Sequence, residues 1–119
     1  MSGHVAADTG RKGEVAVVFL SERTGQDVDG YAAAAEAMAA LASAQPGYRG
    51  MDHVAGEGRE AVTISYWASE ADAVAWRRHP EHRTIRERGR GRWYARYTLH
   101  VTRIMRSYEW EAPAGLGES

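Results

Sequence analysis

The sequence predicts an α+β domain in the order β-α-β-β-α-β. This is the ferredoxin-like split arrangement, a four-stranded antiparallel sheet with helices on one face. Three observations lead there. Glu14–Glu22, Tyr48–Val54, Glu60–Trp67 and Trp93–Arg106 are rich in β-branched and aromatic residues. Tyr31–Ala44 and the stretch from Ser69 to Gly89 carry helical spacing and capping signals. The chain has 119 residues, enough for one domain with one modest core.

Each element follows from local chemistry. Met1–Gly13 is polar and small, so residues 1–13 read as a disordered lead, residues 14–110 as the domain and residues 111–119 as a loose tail. Val15 to Leu20 is a continuous apolar run, the pattern of a strand buried on both faces. Thr24–Gly30 is a loop with cap candidates. The alanine-rich segment after it is strongly helical by propensity, with Tyr31, Ala34, Ala35, Met38, Leu41 and Ala42 on its packing face. Pro46-Gly47 stops it. The second and third strands flank a Gly56-Glu57-Gly58 turn and form an antiparallel hairpin. Ser69-Glu70-Ala71-Asp72 is a capping box for a helix through about Arg78. Pro80 suits the first turn of a further helix and Gly89 its C-terminal stop. After a Gly89–Arg92 turn, the final strand places Tyr97, Leu99, Val101 and Met105 on one alternation and Tyr94 and Ile104 on the other. Apolar surface on both faces of a sheet covered on one side predicts a homodimer with the sheets face to face.

Composition narrows function. With 44% hydrophobic and 26% charged residues the chain is globular rather than disordered. It has no cysteine, which excludes disulfides, thiolate metal sites, iron–sulfur clusters and cysteine nucleophiles. No apolar run approaches the ~20 residues of a membrane helix, and Met1–Gly13 lacks the apolar core of a secretory signal. The expectation is a cytoplasmic protein with no membrane partner. Net charge is −1, but Arg77–Arg106 holds ten arginines against Glu81 and Glu87. Most belong on a solvated face; the functional reading turns one or two inward toward an anion, which the planar guanidinium fork suits. The RNA-binding aromatic signature is missing and the total charge is negative, so no nucleic-acid partner is expected.

Several residues align with a known pattern. Ile64-Ser65-Tyr66-Trp67-Ala68-Ser69-Glu70 is followed by Ala75-Trp76-Arg77, Glu81-His82-Arg83, Gly89-Arg90, Tyr94, Tyr97, Val101 and Arg106-Ser107-Tyr108. Gln45-Pro46-Gly47-Tyr48 precedes them. From Glu14 to Trp110 this resembles the antibiotic biosynthesis monooxygenase family, small proteins of the dimeric α+β-barrel type. The resemblance implies that barrel, a homodimer, and a ligand cavity between sheet and helices. The wider superfamily includes cofactor-free oxygenases of polyketide quinone pathways, haem-degrading enzymes, polyketide cyclases and proteins of no known activity, so fold alone does not choose among them.

The candidate catalytic residues are His82, Arg86 and Tyr97. Histidine titrates near neutrality and can take a phenolic proton; Arg86 or Arg90 would favour the phenolate; Tyr97 is a candidate relay. The competing reading of His82 is structural, a bond to a backbone carbonyl that pins its helix. Trp67, Trp76, His79, Arg83, Arg90 and Trp93 are candidate substrate-binding residues, with aromatic walls suited to a flat ligand. His79-x-x-His82 lacks a third ligand, with His53 and His100 distant in sequence, so no metal is expected. The leading expectation is a cofactor-independent monooxygenase acting on an aromatic or polyketide-type phenol and O2 in secondary metabolism. The alternatives are a polyketide cyclase or non-catalytic accessory protein, and a haem-binding or haem-degrading enzyme. In the haem branch, the resemblance implies, Trp76 matches a helical tryptophan, but Arg86 stands where histidine ligates iron and the first strand offers Val17, Val18 and Phe19 but no asparagine.

Overall fold

In a computed structural model that describes residues 7–113, the order is β1 (Ala7–Asp8), β2 (Val15–Arg23), α1 (Val28–Ser43), β3 (Tyr48–Ala55), β4 (Glu60–Trp67), α2 (Glu70–Arg78), α3 (Pro80–Gly89), β5 (Tyr94–Arg103) and β6 (Tyr108–Glu109). β2 to β5 form one antiparallel sheet, β3-β4-β2-β5. This is the expected β-α-β-β-α-β core, its second helical region divided at His79.

The expected barrel is not there. The four-stranded sheet is open, with β3 and β5 as edges separated by β4 and β2. A closed sheet with a filled interior needs about eight strands, and four leave both edges unpaired.

Further differences have local causes. α1 begins three residues before Tyr31, because the Asp27 carboxylate accepts the Gly30 N–H as N-cap. Ala35 faces solvent rather than the sheet. The final strand is shorter than Trp93–Arg106: the Trp93 amide donates to the Gly89 carbonyl at one end, and Ile104 donates to Glu14 at the other. Within the expected lead, Ala7–Asp8 pairs with Tyr108–Glu109 as a small ribbon. Residues 1–6 and 114–119, which complete the expected lead and tail, lie outside the described residues.

Register defines the faces. Val15 pairs with Trp67, Val17 with Ser65 and Val101, Phe19 with Leu99, and Ser21 with Tyr97; these lie on the helix-covered face. Val15, Ala42, Trp67, Ala73 and Trp76 form the core, with Val17, Met38, Leu41, Tyr48 and Met51 against it. The other face is bare, so β2 is not buried on both sides: Leu20 there is 38% exposed. Leu20 pairs with Val62, and Val62 with Val54, making an apolar row across three strands.

Candidate active site

His82 occupies one corner of the covered face. Ser69 caps α2, its hydroxyl accepting the Asp72 amide, as the capping box predicted. That helix delivers Trp76 onto Trp67, the rings stacked at 5.9 Å. His79 ends α2 and caps α3, its Nδ1 accepting the Glu81 amide, with Pro80 in the first turn. One turn on, His82 stacks on Trp76 at 4.1 Å. His82, Ile85, Arg86 and Gly89 are the α3 residues shielded from solvent, the face predicted by helical spacing.

The His82 Nδ1 lies 2.8 Å from the Trp76 carbonyl. A carbonyl only accepts, so Nδ1 carries the proton and Nε2 keeps its lone pair. Burial pulls the His82 pKa below the ordinary imidazole value; the Nδ1 bond opposes this, and the Arg86 and His79 charges reinforce it. His82 is therefore neutral near pH 7, with one nitrogen fixed and one basic. The structural bond and the chemical capacity coexist on different atoms. Arg86 donates from one terminal nitrogen to the Arg77 carbonyl at 3.3 Å, and its Nε is buried without an acceptor.

A second group of candidates lies at the other end of the same face. Tyr97 rests on Phe19 at 5.1 Å and accepts a 2.9 Å hydrogen bond from Arg90 Nε. Trp93 is 4% exposed, stands edge-on to Tyr31, and donates its indole N–H to Asp27 at 3.0 Å. Arg92 pairs with the same carboxylate at 2.9 Å. The Trp93 and Arg92 bonds hold the Asp27 pKa below the usual carboxylate value. Burial pushes the Tyr94 phenol above the ordinary tyrosine value.

Among the described residues no hydrogen bond or ring contact joins His82 to Tyr97 directly. Trp67, which supports the His82 stack, pairs with Val15, whereas Tyr97 pairs with Ser21. Six residues of strand separate Val15 from Ser21, roughly 20 Å. Arg83 is exposed, and His79 serves as a cap rather than in a metal pair. Among the described residues no group of three His, Asp or Glu side chains is placed to hold a metal, and no helix is long and apolar enough to cross a membrane. The residues do not fit haem. A guanidinium, that of Arg86, occupies the position of the implied iron ligand and cannot ligate, and the first strand carries Val17, Val18 and Phe19 where the implied asparagine would stand.

Two clefts accompany these groups. A groove of about 650 Å³ between α1 and α3 is lined by Ala33, Ala37, Ile85, Arg88 and Trp93. A cleft of about 730 Å³ opens on the bare face over Val18 and Ile64. In it Arg11 lies 3.8 Å over the Tyr66 ring, and Tyr66 donates to Asp52 at 2.6 Å. The sequence reading missed this network because Arg11 fell in the expected lead. It also missed Phe19, Arg23 and Tyr31 as site residues. Alternation along β2 places Phe19 and Arg23 on the face of Val15 and Val17, and that parity was the available signal.

Residues 15–88 match the antibiotic biosynthesis monooxygenase family. A Bacillus subtilis (strain 168) protein, the uncharacterized YqjZ, is 38% identical over 91 residues, covering 76% of this chain and 79% of that one. The chain belongs to the antibiotic biosynthesis monooxygenase family. Solved structures agree at the level of fold. A putative antibiotic biosynthesis monooxygenase from Nitrosomonas europaea superposes with TM-score 0.69 at 13% identity, covering 77% of this chain and 90% of that one. SnoaB, a cofactor-independent oxygenase from Streptomyces nogalater, superposes with TM-score 0.64 at 17% identity, covering 76% and 94%.

Proposed function

We propose that this family member is a cytoplasmic, homodimeric monooxygenase that oxidises a flat aromatic or polyketide-type phenol with O2, without flavin or metal. The observation that carries the reading is the His82 corner: a neutral imidazole with Nδ1 fixed, Nε2 basic, and the Arg86 guanidinium beside it. The groove between α1 and α3 reaches Ile85, one turn from His82 on the same helix face. Its alanine floor and the edge of Trp93 suit a planar ring system.

In this reading His82 Nε2 takes the phenolic proton, and Arg86 stabilises the phenolate. The phenolate passes one electron to O2, and the radical pair combines to form a carbon–oxygen bond. The ring hydroperoxide then loses water. One oxygen atom stays as a quinone carbonyl, and the other leaves as water with two hydrogens from the substrate. SnoaB, described as a cofactor-independent oxygenase, supports this chemistry on the same fold. The bare-face row of Leu20, Val62 and Val54, with Val54 67% exposed, supports self-association through that face.

The test is oxygen uptake by the purified protein over a panel of polycyclic phenols. His82→Ala should abolish uptake while the dimer persists in light scattering. Unchanged uptake in the variant would exclude His82 as the base. Turnover without oxygen consumption would replace the oxygenase reading with a cyclase.

A further inference from the structure

Four rings run in series through the core to the His82 corner. Tyr48 opens β3 and pairs with Trp67, the last residue of β4. Their rings meet edge-on at 5.7 Å. Trp67 stacks on Trp76 at 5.9 Å and 25°, and Trp76 stacks on His82 at 4.1 Å and 21°. Trp67 is fully buried and Trp76 nearly so, whereas Tyr48 and His82 at the two ends are half-buried.

Packing alone does not call for this composition. Leucine or phenylalanine would fill the core without an indole N–H to satisfy. The Trp67 N–H is instead buried and donates to the Ser65 hydroxyl at 2.9 Å. Tryptophan and tyrosine are the ring side chains that most readily give up one electron, and electrons tunnel fast between rings in near contact. A serine hydroxyl is too weak a base to take the indole proton. A Trp67 that has lost an electron therefore keeps its proton and stays a strong oxidant, able to draw an electron from Tyr48. A tyrosine sheds its phenolic proton on oxidation, and the partial exposure of Tyr48 leaves its side chain in reach of water.

We propose that Trp76, Trp67 and Tyr48 form a radical relay that carries an oxidising equivalent from the His82 corner to the surface at Tyr48. The oxidant is of the alkoxyl-radical class, as forms when a hydroperoxide breaks its O–O bond homolytically. It gains one electron from Trp76 and one proton from water and becomes an alcohol. Trp76 is refilled by Trp67, and Trp67 by Tyr48, which gives its phenolic proton to water. A solvent thiol then returns the tyrosyl radical to tyrosine by giving up its hydrogen atom. The relay rests on the ring geometry and does not depend on the oxygenase reading.

The test injects the oxidising equivalent directly. The sequence has no cysteine, so Arg83→Cys, exposed beside His82, takes a single ruthenium polypyridyl photo-oxidant. Flash photolysis with a cobalt(III) quencher follows tryptophan and tyrosyl radicals by their separate absorption. In this labelled protein a tryptophan radical should decay as a tyrosyl radical rises. Tyr48→Phe should lose the tyrosyl signal and prolong the tryptophan radical. Tyr108→Phe, which removes an exposed tyrosine outside the series, should change neither. Trp67→Phe keeps a ring too hard to oxidise and should also lose the tyrosyl signal. Oxygen uptake enters none of these readings, so their failure is separate from failure of His82 as the base. The proposal is overturned if the labelled parent forms no tyrosyl radical, if that radical survives Tyr48→Phe, or if Trp67→Phe transfers unchanged. Should Trp67→Phe fail to fold, Tyr48→Phe, which removes one oxygen atom, decides by the same criteria.

Discussion

Trp76 joins core to candidate site, and its replacement tests both. The ring is 8% exposed, stacked against Trp67 on one side and His82 on the other. Truncating a buried tryptophan to alanine costs about 3–5 kcal/mol. The two ring contacts contribute ~0.5–1.5 kcal/mol each beyond area burial, so Trp76→Ala should fall in the upper part of that range. A domain stable by about 5–15 kcal/mol would survive with reduced margin. Trp76→Leu, which keeps much of the volume, should cost about 2–3 kcal/mol. Urea unfolding at one fixed protein concentration measures both, since association would otherwise shift the midpoint. The second readout is the His82 pKa, followed by NMR in Trp76→Leu. Burial is the chief cause of its depression, so removing the covering ring should raise it toward 6.5. A cost below about 1 kcal/mol for Trp76→Ala, or an unmoved His82 titration, would refute the stacked arrangement.

Three further outcomes follow from local geometry. Gly47 has φ 79°, and a Cβ there would meet the Asp72 carboxylate. Gly47→Ala should therefore lower the urea midpoint by more than the ~1–2 kcal/mol of the left-handed conformation alone, and a neutral result would disprove the close approach. The folded pKa of Asp27 is depressed below 3.8, so its contribution is complete above that value and is lost as pH falls through the lower folded one. Asp27→Asn should flatten the stability–pH curve in that acid window, and a wild-type slope would contradict the Trp93 and Arg92 bonds. The Tyr66 phenol is raised above 10.0, first by its hydrogen bond to Asp52. In an ultraviolet titration Asp52→Asn should move one late tyrosine step to lower pH while that of buried Tyr94 stays, and no movement would count against the Tyr66–Asp52 bond.

Most of the fold was legible because its signals are local. Ser69 with Asp72, Pro80 at a helix start, and Pro46-Gly47 after α1 are short-range chemistry, and the observed bounds of β4, α2 and α3 coincide with it. The failures are non-local. Ala7–Asp8 carries no strand signature of its own and becomes a strand only through Tyr108–Glu109, about a hundred residues on. The barrel came from the resemblance, and it fails in this chain because four strands in the order β3-β4-β2-β5 leave β3 and β5 at opposite edges.

The candidate site divides along the same line. His82, Ile85, Arg86 and Gly89 were legible as one face, since helical spacing alone places them together. The relay from His82 to Tyr97 was not, although only fifteen residues separate the two in sequence. Their placement depends on β2, which pairs Trp67 with Val15 and Tyr97 with Ser21. No pattern within residues 76–97 contains that register. The same strand links Arg23 to Phe19 by parity, although the chain between Arg23 and Tyr31 reads as an ordinary loop. Strand alternation places a side chain on a face, pairing places it along that face, and only the first can be read from one strand alone. Arg23 is the sharper case: its face was readable from Val15 onward, but that it pairs with no acid among the described residues emerges only once Asp27 and Glu22 are placed against other arginines.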